Sequence, residues 1–130
     1  MGWSQHGWDL YKIVFQKNSL DGAQEYCWDI SSKLVQVETM EENQFLYSLL
    51  DINDEIYPGS EYWVGNKLGD TEVSDWGDTG PTSEECIVLV KDGGKWVWRS
   101  AGCMPEVQRY FICEKPVTNE QGKYCLYTVS

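Results

Sequence analysis

The sequence is poor in histidine, in basic residues and in long apolar runs. Its 130 residues include one histidine, His6, and 10 lysines and arginines against 21 aspartates and glutamates, which gives a net charge of −11. A single histidine near the N-terminus excludes multi-histidine metal sites and most histidine-based catalysis. The acidic balance argues against nucleic-acid binding, because few cations are available to neutralise phosphates. No apolar run approaches the roughly 20 residues of a membrane span, so membrane insertion is not expected.

The cysteines are widely spaced and none of them forms a Cys-x-x-Cys pair, which disfavours zinc ribbons and thioredoxin-like redox chemistry. Such spacings are typical of disulfides in an oxidising compartment, so we expect a secreted or extracellular protein. The first residues lack an apolar stretch of signal-peptide length, and we interpret the chain as a mature domain or a fragment. Its length and its 42% apolar content are those of one globular domain. The five cysteines are Cys27, Cys86, Cys103, Cys113 and Cys125.

The first half of the chain alternates strand and helix patterns. Residues 8–17 are rich in aromatic and β-branched residues, which predicts one or two short strands. Asn18 and Ser19 form an N-cap signal, and apolar residues at steps of three and four then predict a helix over 20–31. Residues 33–38 alternate like a strand. Thr39 and Glu42 form a capping box that opens a second helix, with an inner side made of Phe45, Leu46, Leu49 and Leu50.

The second half of the chain is dominated by strand and loop patterns. A short buried strand over 62–64 is followed by a polar, glycine-rich loop over 66–85. Strands over 86–91 and 95–99 flank a hairpin turn at 92–94, and a last core strand covers 110–115, with a possible extra strand over 124–129. This order predicts an α+β fold with a mostly antiparallel sheet. We place the domain at residues 1–115 and a C-terminal tail at 116–130.

Four segments carry a resemblance to a known family. They are Ala23-Gln-Glu-Tyr-Cys27 with Leu34-Val35, Glu42-Asn-Gln-Phe45-Leu46, Tyr62-Trp63-Val64-Gly65, and the series Cys86-Ile-Val-Leu, Trp98, Cys103 and Phe111-Ile112-Cys113-Glu114. In this order and spacing they resemble the C-type lectin-like domain over about residues 8–115. The resemblance implies two helices packed on antiparallel sheets and two disulfides, Cys27–Cys113 and Cys86–Cys103. Cys125 lies outside this framework. It suggests an interchain bridge, hence a disulfide-linked dimer, a pairing with another domain, or a free thiol.

The residues that hold calcium in the sugar site of this family are altered here. Sugar-binding members use oxygen ligands from the long loop and an Asn-Asp pair after a tryptophan, whereas Trp98 is followed by Arg99 and Ser100. A guanidinium repels a cation instead of binding it. The long loop is also short, and Pro81 has no carboxylate or amide beside it. We therefore expect this calcium to be absent. The alternatives for the acidic run Asp75, Asp78, Glu84 and Glu85 are a rearranged cation site or a solvated loop.

The family has a second, structural calcium position between the start of the second helix and the last strand. The resemblance implies that its oxygens would come from Gln36, Glu38, Glu42 and Glu114. Three carboxylates close together are costly unless a cation neutralises them or water solvates them. A structural Ca²⁺ is therefore one interpretation. In the other, Glu42 serves only the capping box and Glu114 is a surface residue beside Lys115.

Without the sugar-site calcium, the ligand face must depend on other groups. Trp96 and Trp98 point to the same side of a strand, so either both are core residues or one is an exposed indole that contacts a protein or stacks on a sugar beside Arg99. No nucleophile–base or metalloprotease motif is present, so an enzyme is not expected. We expect a recognition module for a protein or glycan ligand; the alternatives are a calcium-dependent lectin with a rearranged site and a matrix-, mineral- or ice-associated protein. The candidate ligand-binding residues are Trp76, Asp78, Thr79, Lys95, Trp96, Trp98, Arg99 and Ser100.

Overall fold

The computed structural model describes residues 2–69, 73–78 and 80–118. These residues form two helices and seven strands. The elements are β1 (Ser4–His6), β2 (Asp9–Asn18), α1 (Leu20–Asp29), β3 (Lys33–Leu34), α2 (Met40–Asp54), β4 (Tyr62–Lys67), β5 (Cys86–Asp92), β6 (Lys95–Ala101) and β7 (Arg109–Pro116). The strands form one sheet with the order β1-β2-β7-β4-β5-β6, in which β3 also pairs with β7. All pairings between these strands are antiparallel except the parallel contact between β4 and β7. The α+β prediction is thereby confirmed.

Both helices begin at the predicted caps. The Ser19 hydroxyl accepts a hydrogen bond from the Gly22 amide at 3.1 Å, and the Thr39 hydroxyl accepts one from the Glu42 amide at 3.0 Å. Each bond satisfies an amide that the first helical turn leaves without a partner. The Glu42 carboxylate reaches back to the amide of Glu38, one residue before the cap, at 2.7 Å. It therefore ties the incoming chain to α2, instead of closing the usual capping box.

Two elements differ from the predicted strands. The sequence pattern gave no indication of β1, whose polar residues pair with β2 through a turn in which Gly7 has φ +61°. The strand predicted over 33–38 is limited to Lys33–Leu34. Beyond it, the amides of Gln36 and Val37 donate to the side chains of Glu114 and Asn66 at 2.8 and 2.9 Å. At these two positions, side-chain oxygens accept the hydrogen bonds that a neighbouring strand would accept in a sheet.

The sheet is buried on both faces. On the side of α2, a core cluster joins Leu46 and Leu50 to Trp96 and Trp98 of β6. On the side of α1, a second cluster joins helix residues to the intervening Val97 of β6 and to central residues of the other strands. Alternate residues of β6 therefore enter different cores, as expected for a pleated strand.

The two expected disulfides are confirmed. Cys27–Cys113 joins α1 to β7 with a Cα–Cα distance of 5.5 Å, and Cys86–Cys103 joins the start of β5 to the segment after β6 at 5.7 Å. Cys125 and the strand predicted over 124–129 lie outside the described residues. Within the described chain, neither α1 nor α2 is long and apolar enough to cross a bilayer.

Candidate functional site

The loop segment 73–78 is held against β6 by main-chain hydrogen bonds. The Trp98 amide donates to the Asp75 carbonyl at 2.8 Å, and the Gly77 amide donates to the Trp98 carbonyl at 3.2 Å. The ring of Trp76 packs edge-on against that of Trp98, with centroids 5.7 Å apart. This side chain is half-buried, so part of the indole faces solvent. The segment is therefore fixed to the sheet while it presents an aromatic surface.

A cavity of about 280 Å³ lies between this segment and the tip of the β5–β6 hairpin. Three predicted ligand-binding residues line it, namely Trp76, Asp78 and Lys95. Asp92, which was not among the predicted residues, lines the same cavity and forms an ion pair with exposed Arg99 at 3.5 Å. Asp92 lies at the hairpin turn, and its sequence neighbourhood shows only a turn signal. We call the set Trp76, Asp78, Asp92, Lys95 and Arg99 the ligand face.

The other predicted ligand-binding residues do not provide free side-chain groups at the ligand face. Ser100 is half-buried, and its hydroxyl accepts a hydrogen bond from the Thr82 amide at 3.0 Å. Thr79 lies outside the described residues.

Trp96 and Trp98 are 6% and 1% exposed. Their indole N–H groups donate to Asp51 at 3.3 Å and Asn43 at 2.8 Å, both on α2. Both tryptophans are core residues, and the interpretation of either as an exposed indole was wrong because α2 covers this face of β6.

A second cluster of polar groups lies where β2, α2 and β7 meet. Carboxylate oxygens of Asp9, Glu42 and Glu114 all lie within 4.8 Å of one another. Glu42 and Glu114 are buried, with 8% and 4% of their surfaces exposed. The Tyr11 hydroxyl donates to Oε2 of Glu42, while the main-chain amide of Gln36 donates to Oε1 of Glu114 at 2.8 Å. Each buried carboxyl group thus has a donor, but the three acidic groups remain close together.

Burial and charge act together on Glu114. Burial raises its pKa to about 7; the Gln36 amide opposes this shift, and the charge of Glu42 adds to it. The ammonium of Lys33, 3.8 Å from Oε1, also lowers the pKa. Burial likewise raises the pKa of the Tyr11 hydroxyl, with its hydrogen bond to Glu42 adding to the shift. In the absence of a cation, Glu114 therefore exchanges its proton near neutral pH.

The acidic cluster only partly matches the predicted calcium ligands. Glu42 and Glu114 come together as predicted, and Glu38 lines an adjacent cavity of about 330 Å³ with Asp9 and Glu114. Gln36 contacts the cluster through its main-chain amide, which donates to Glu114, and a role of its side-chain oxygen as a ligand stays a prediction. Asp9 was missed because its place depends on the pairing of β2 with β7, in which Tyr11 is opposite Glu114. Three carboxylates are the oxygen ligands that Ca²⁺ prefers, so Asp9, Glu42 and Glu114 fit this ion.

Comparison with known proteins identifies the family. The family model described as Lectin C-type domain matches residues 16–115, and the chain therefore belongs to the C-type lectin family. Among curated proteins, it is 28% identical to the human C-type lectin domain family 4 member D over 103 residues, which cover 71% of this chain and 47% of that protein. It is 26% identical to the snaclec agkicetin-C subunit alpha of Deinagkistrodon acutus over 127 residues, which cover 87% of this chain and 79% of that protein. The chain thus spans about half the length of the human relative.

Solved structures agree with the family assignment at the level of the fold. The Ca²⁺-independent C-type lectin SPL-2 from Saxidomus purpuratus is similar, with a TM-score of 0.78 and 19% sequence identity, and the similarity covers 91% of this chain and 94% of that chain. The shared architecture therefore extends over nearly the whole described chain.

Proposed function

We propose that this protein is an extracellular recognition module that binds a protein or glycan at the ligand face, without the sugar-site calcium of its family. The observation that carries the proposal is the state of the two residues after Trp98. Arg99 places an exposed guanidinium in an ion pair with Asp92, and the Ser100 hydroxyl is engaged by the Thr82 amide. A cation and an occupied hydroxyl thus stand where sugar-binding members have an Asn-Asp pair, and neither favours a bound Ca²⁺.

The chemistry of the ligand face supports recognition of a polar ligand. The half-buried Trp76 ring offers a flat apolar surface beside the carboxylates of Asp78 and Asp92 and the cations Lys95 and Arg99. Aromatic rings flanked by charged groups are common centres of protein interfaces and also stack on the apolar faces of sugars. The two disulfides support an extracellular location, since such bonds persist in oxidising compartments.

The test is a glycan array and an array of extracellular proteins, each probed with the protein in calcium and in EDTA. We expect the same ligands to be bound in both conditions, with at least ten-fold weaker binding for Trp76→Ala and Arg99→Ala. Glu106→Ala, at an exposed acid outside the ligand face, is the matched control. Binding that disappears in EDTA would favour the calcium-dependent lectin with a rearranged site. Adsorption to ice or mineral surfaces with no array ligand would favour the structural alternative.

We also propose that Asp9, Glu42 and Glu114 form a structural calcium site, with Glu38 at its edge. A bound calcium ion would neutralise the three carboxylates, which otherwise repel one another within 4.8 Å. This ion would join β2, α2 and β7, whereas the altered sugar-site positions lie on β6. We expect calcium to raise the melting temperature relative to EDTA, and Asp9→Asn to remove most of that rise. Asp29→Asn, at an exposed acid of α1, should retain it. An unchanged melting temperature would rule out the site.

The role of Cys125 is a separate proposal. An additional thiol in an extracellular chain suggests a bridge to a second chain. Electrophoresis without and with reductant tests for such a disulfide-linked dimer. A single monomer band under both conditions would exclude it.

A further inference from the structure

A second cavity of about 330 Å³ lies on the other side of the β5–β6 hairpin, against α2. Trp96 lines this cavity, whereas its neighbour Val97 lines the cavity of the ligand face. Because consecutive residues of a strand point to opposite sides, the two cavities open on opposite faces of β6. We call the second cavity the α2 groove. The groove is therefore distinct from the ligand face, although Lys95 at the hairpin tip lines both cavities.

Two aromatic side chains form the floor of the α2 groove. The rings of Tyr47 and Trp96 lie 23° from parallel, with centroids 6.5 Å apart, and the two residues are 8% and 6% exposed. Each ring directs a polar hydrogen at a carboxylate. The Tyr47 hydroxyl donates to Asp75 at 2.9 Å, and the Trp96 indole N–H donates to Asp51 at 3.3 Å. Two carboxylates are thus held in place at the edges of a rigid floor.

Both carboxylates retain capacity to accept further hydrogen bonds. Among the described residues, none donates to Oδ2 of Asp51 or to Oδ1 of Asp75. Hydrogen bonds from Lys91 and Trp96 hold the pKa of Asp51 below its usual range, so this carboxyl is ionised at neutral pH. Two cations oppose the local negative charge: Lys91, 2.9 Å from Asp51, and Lys95, which lines the rim.

We propose that the α2 groove binds the guanidinium of an arginine side chain from a basic partner protein. A guanidinium presents a flat face that packs on aromatic rings and several N–H donors at its edge for carboxylate oxygens. The groove offers the small exposed parts of two aromatic side chains at its floor, and two carboxylates fixed beside them. The net charge of −11 adds a long-range attraction toward a basic partner. The α2 groove would act as a contact additional to the ligand face, and its test uses a small probe and does not need the ligand of that face.

The experiment is a titration of the full chain with N-acetyl-arginine methylamide, followed by the NMR signal of the Trp96 indole N–H. The neutral isostere N-acetyl-citrulline methylamide is the matched ligand control. We expect a saturable shift with the arginine probe and at least five-fold weaker binding of the citrulline probe. Asp51→Asn and Asp75→Asn should each weaken arginine binding at least five-fold, whereas Glu106→Gln should not change it.

A gain-of-binding variant guards against simple loss of folding. Lys95→Gln removes a like charge from the rim, so we expect about two-fold tighter binding of the arginine probe. A damaged structure could not produce this result. Equal shifts from the citrulline and arginine probes would overturn the proposal. The same conclusion would follow if Asp51→Asn and Asp75→Asn bound as tightly as Glu106→Gln, because binding would then reflect only the overall charge.

Discussion

The hydroxyl of Tyr47 donates a hydrogen bond to the Asp75 carboxylate at 2.9 Å, and so joins α2 to the loop segment 73–78. The carbonyl of the same aspartate accepts from the Trp98 amide of β6 at 2.8 Å. Burial raises the pKa of the Tyr47 hydroxyl well above its usual value, and the Asp75 carboxylate adds to that shift. The hydroxyl therefore remains a donor throughout the physiological range. One side chain of α2 thus fixes the position of the loop that carries Trp76.

Tyr47→Phe should loosen the 73–78 segment. The change removes a donor to a charged carboxylate, and we expect the free energy of unfolding to fall by about 1–2 kcal/mol. Urea denaturation measures this loss, and hydrogen exchange of the Trp98 amide should become faster. Tyr26→Phe is the matched control, because the Tyr26 ring packs on Phe111 but its hydroxyl has no hydrogen bond to a described residue. Equal stability losses in the two variants would contradict the importance of the Tyr47–Asp75 bond.

The stability of the metal-free protein should depend on the proton held by Glu114. Its pKa is about 7 in the folded protein against 4.5 for an ordinary glutamate. The folded state thus binds a proton that the unfolded chain releases, and this contribution to stability is complete below pH 4.5 and lost as the pH rises through 7. In EDTA, we expect the free energy of unfolding to decrease by up to about 3 kcal/mol across this interval.

Glu114→Gln isolates this contribution. The introduced side chain is neutral at every pH, and its oxygen can still accept a hydrogen bond from the main-chain amide of Gln36. The decrease in the free energy of unfolding above pH 4.5 should therefore be largely removed. Chemical denaturation at several pH values, for both proteins in EDTA, provides the comparison. Parallel curves for the two proteins would show that other groups cause the pH dependence.

Truncation of Trp96 and of Trp76 should reduce stability to different extents. Trp96→Ala removes a side chain that is 6% exposed, and we expect a loss of about 3–5 kcal/mol in the free energy of unfolding. Trp76→Ala removes a half-buried ring, so we expect a smaller loss of about 1–2 kcal/mol together with weaker ligand binding. Urea denaturation and the array measurements separate the two effects. A fully stable Trp96→Ala protein would contradict the core position of this residue.

The two disulfides should contribute unequally to stability. They close spans of 86 and 17 residues. In the chain-entropy model, these spans correspond to roughly 4.6 and 3.1 kcal/mol. We therefore expect Cys27→Ala/Cys113→Ala to unfold at lower urea concentration than Cys86→Ala/Cys103→Ala. The reverse order would mean that local packing outweighs loop closure.

Local signals predicted the helix starts and the hairpin well. Ser19 and Thr39 are caps that need only the next three residues to form, so their sequence context is sufficient. The turn between β5 and β6 is similarly local, since Gly93 and Gly94 both adopt positive φ values, 61° and 83°. The disulfide pairing was implied by the family resemblance, because spacing alone leaves several pairings open.

The features that the sequence did not predict depend on distant contacts. The alternation in 33–38 looked like a strand, but Val37 hydrogen-bonds to the side chain of Asn66, 29 residues away. Trp96 could not be assigned to the core because both faces of β6 are buried and the covering helix is distant in sequence. Asp9 joins the acidic cluster only through the register of β2 on β7. Each of these residues is placed by tertiary packing, which a local pattern does not encode.

The sulfur atoms of the Cys27–Cys113 bridge belong to residues with no exposed surface. Thiol–disulfide exchange requires a thiolate to reach one of the two sulfurs directly. Glutathione or dithiothreitol can therefore attack this bond only after α1 separates from β7, so its cleavage reports how often these two elements part. The module should consequently tolerate brief exposure to reductants at temperatures where such opening is rare, and its sensitivity should rise steeply once heating or urea makes opening frequent.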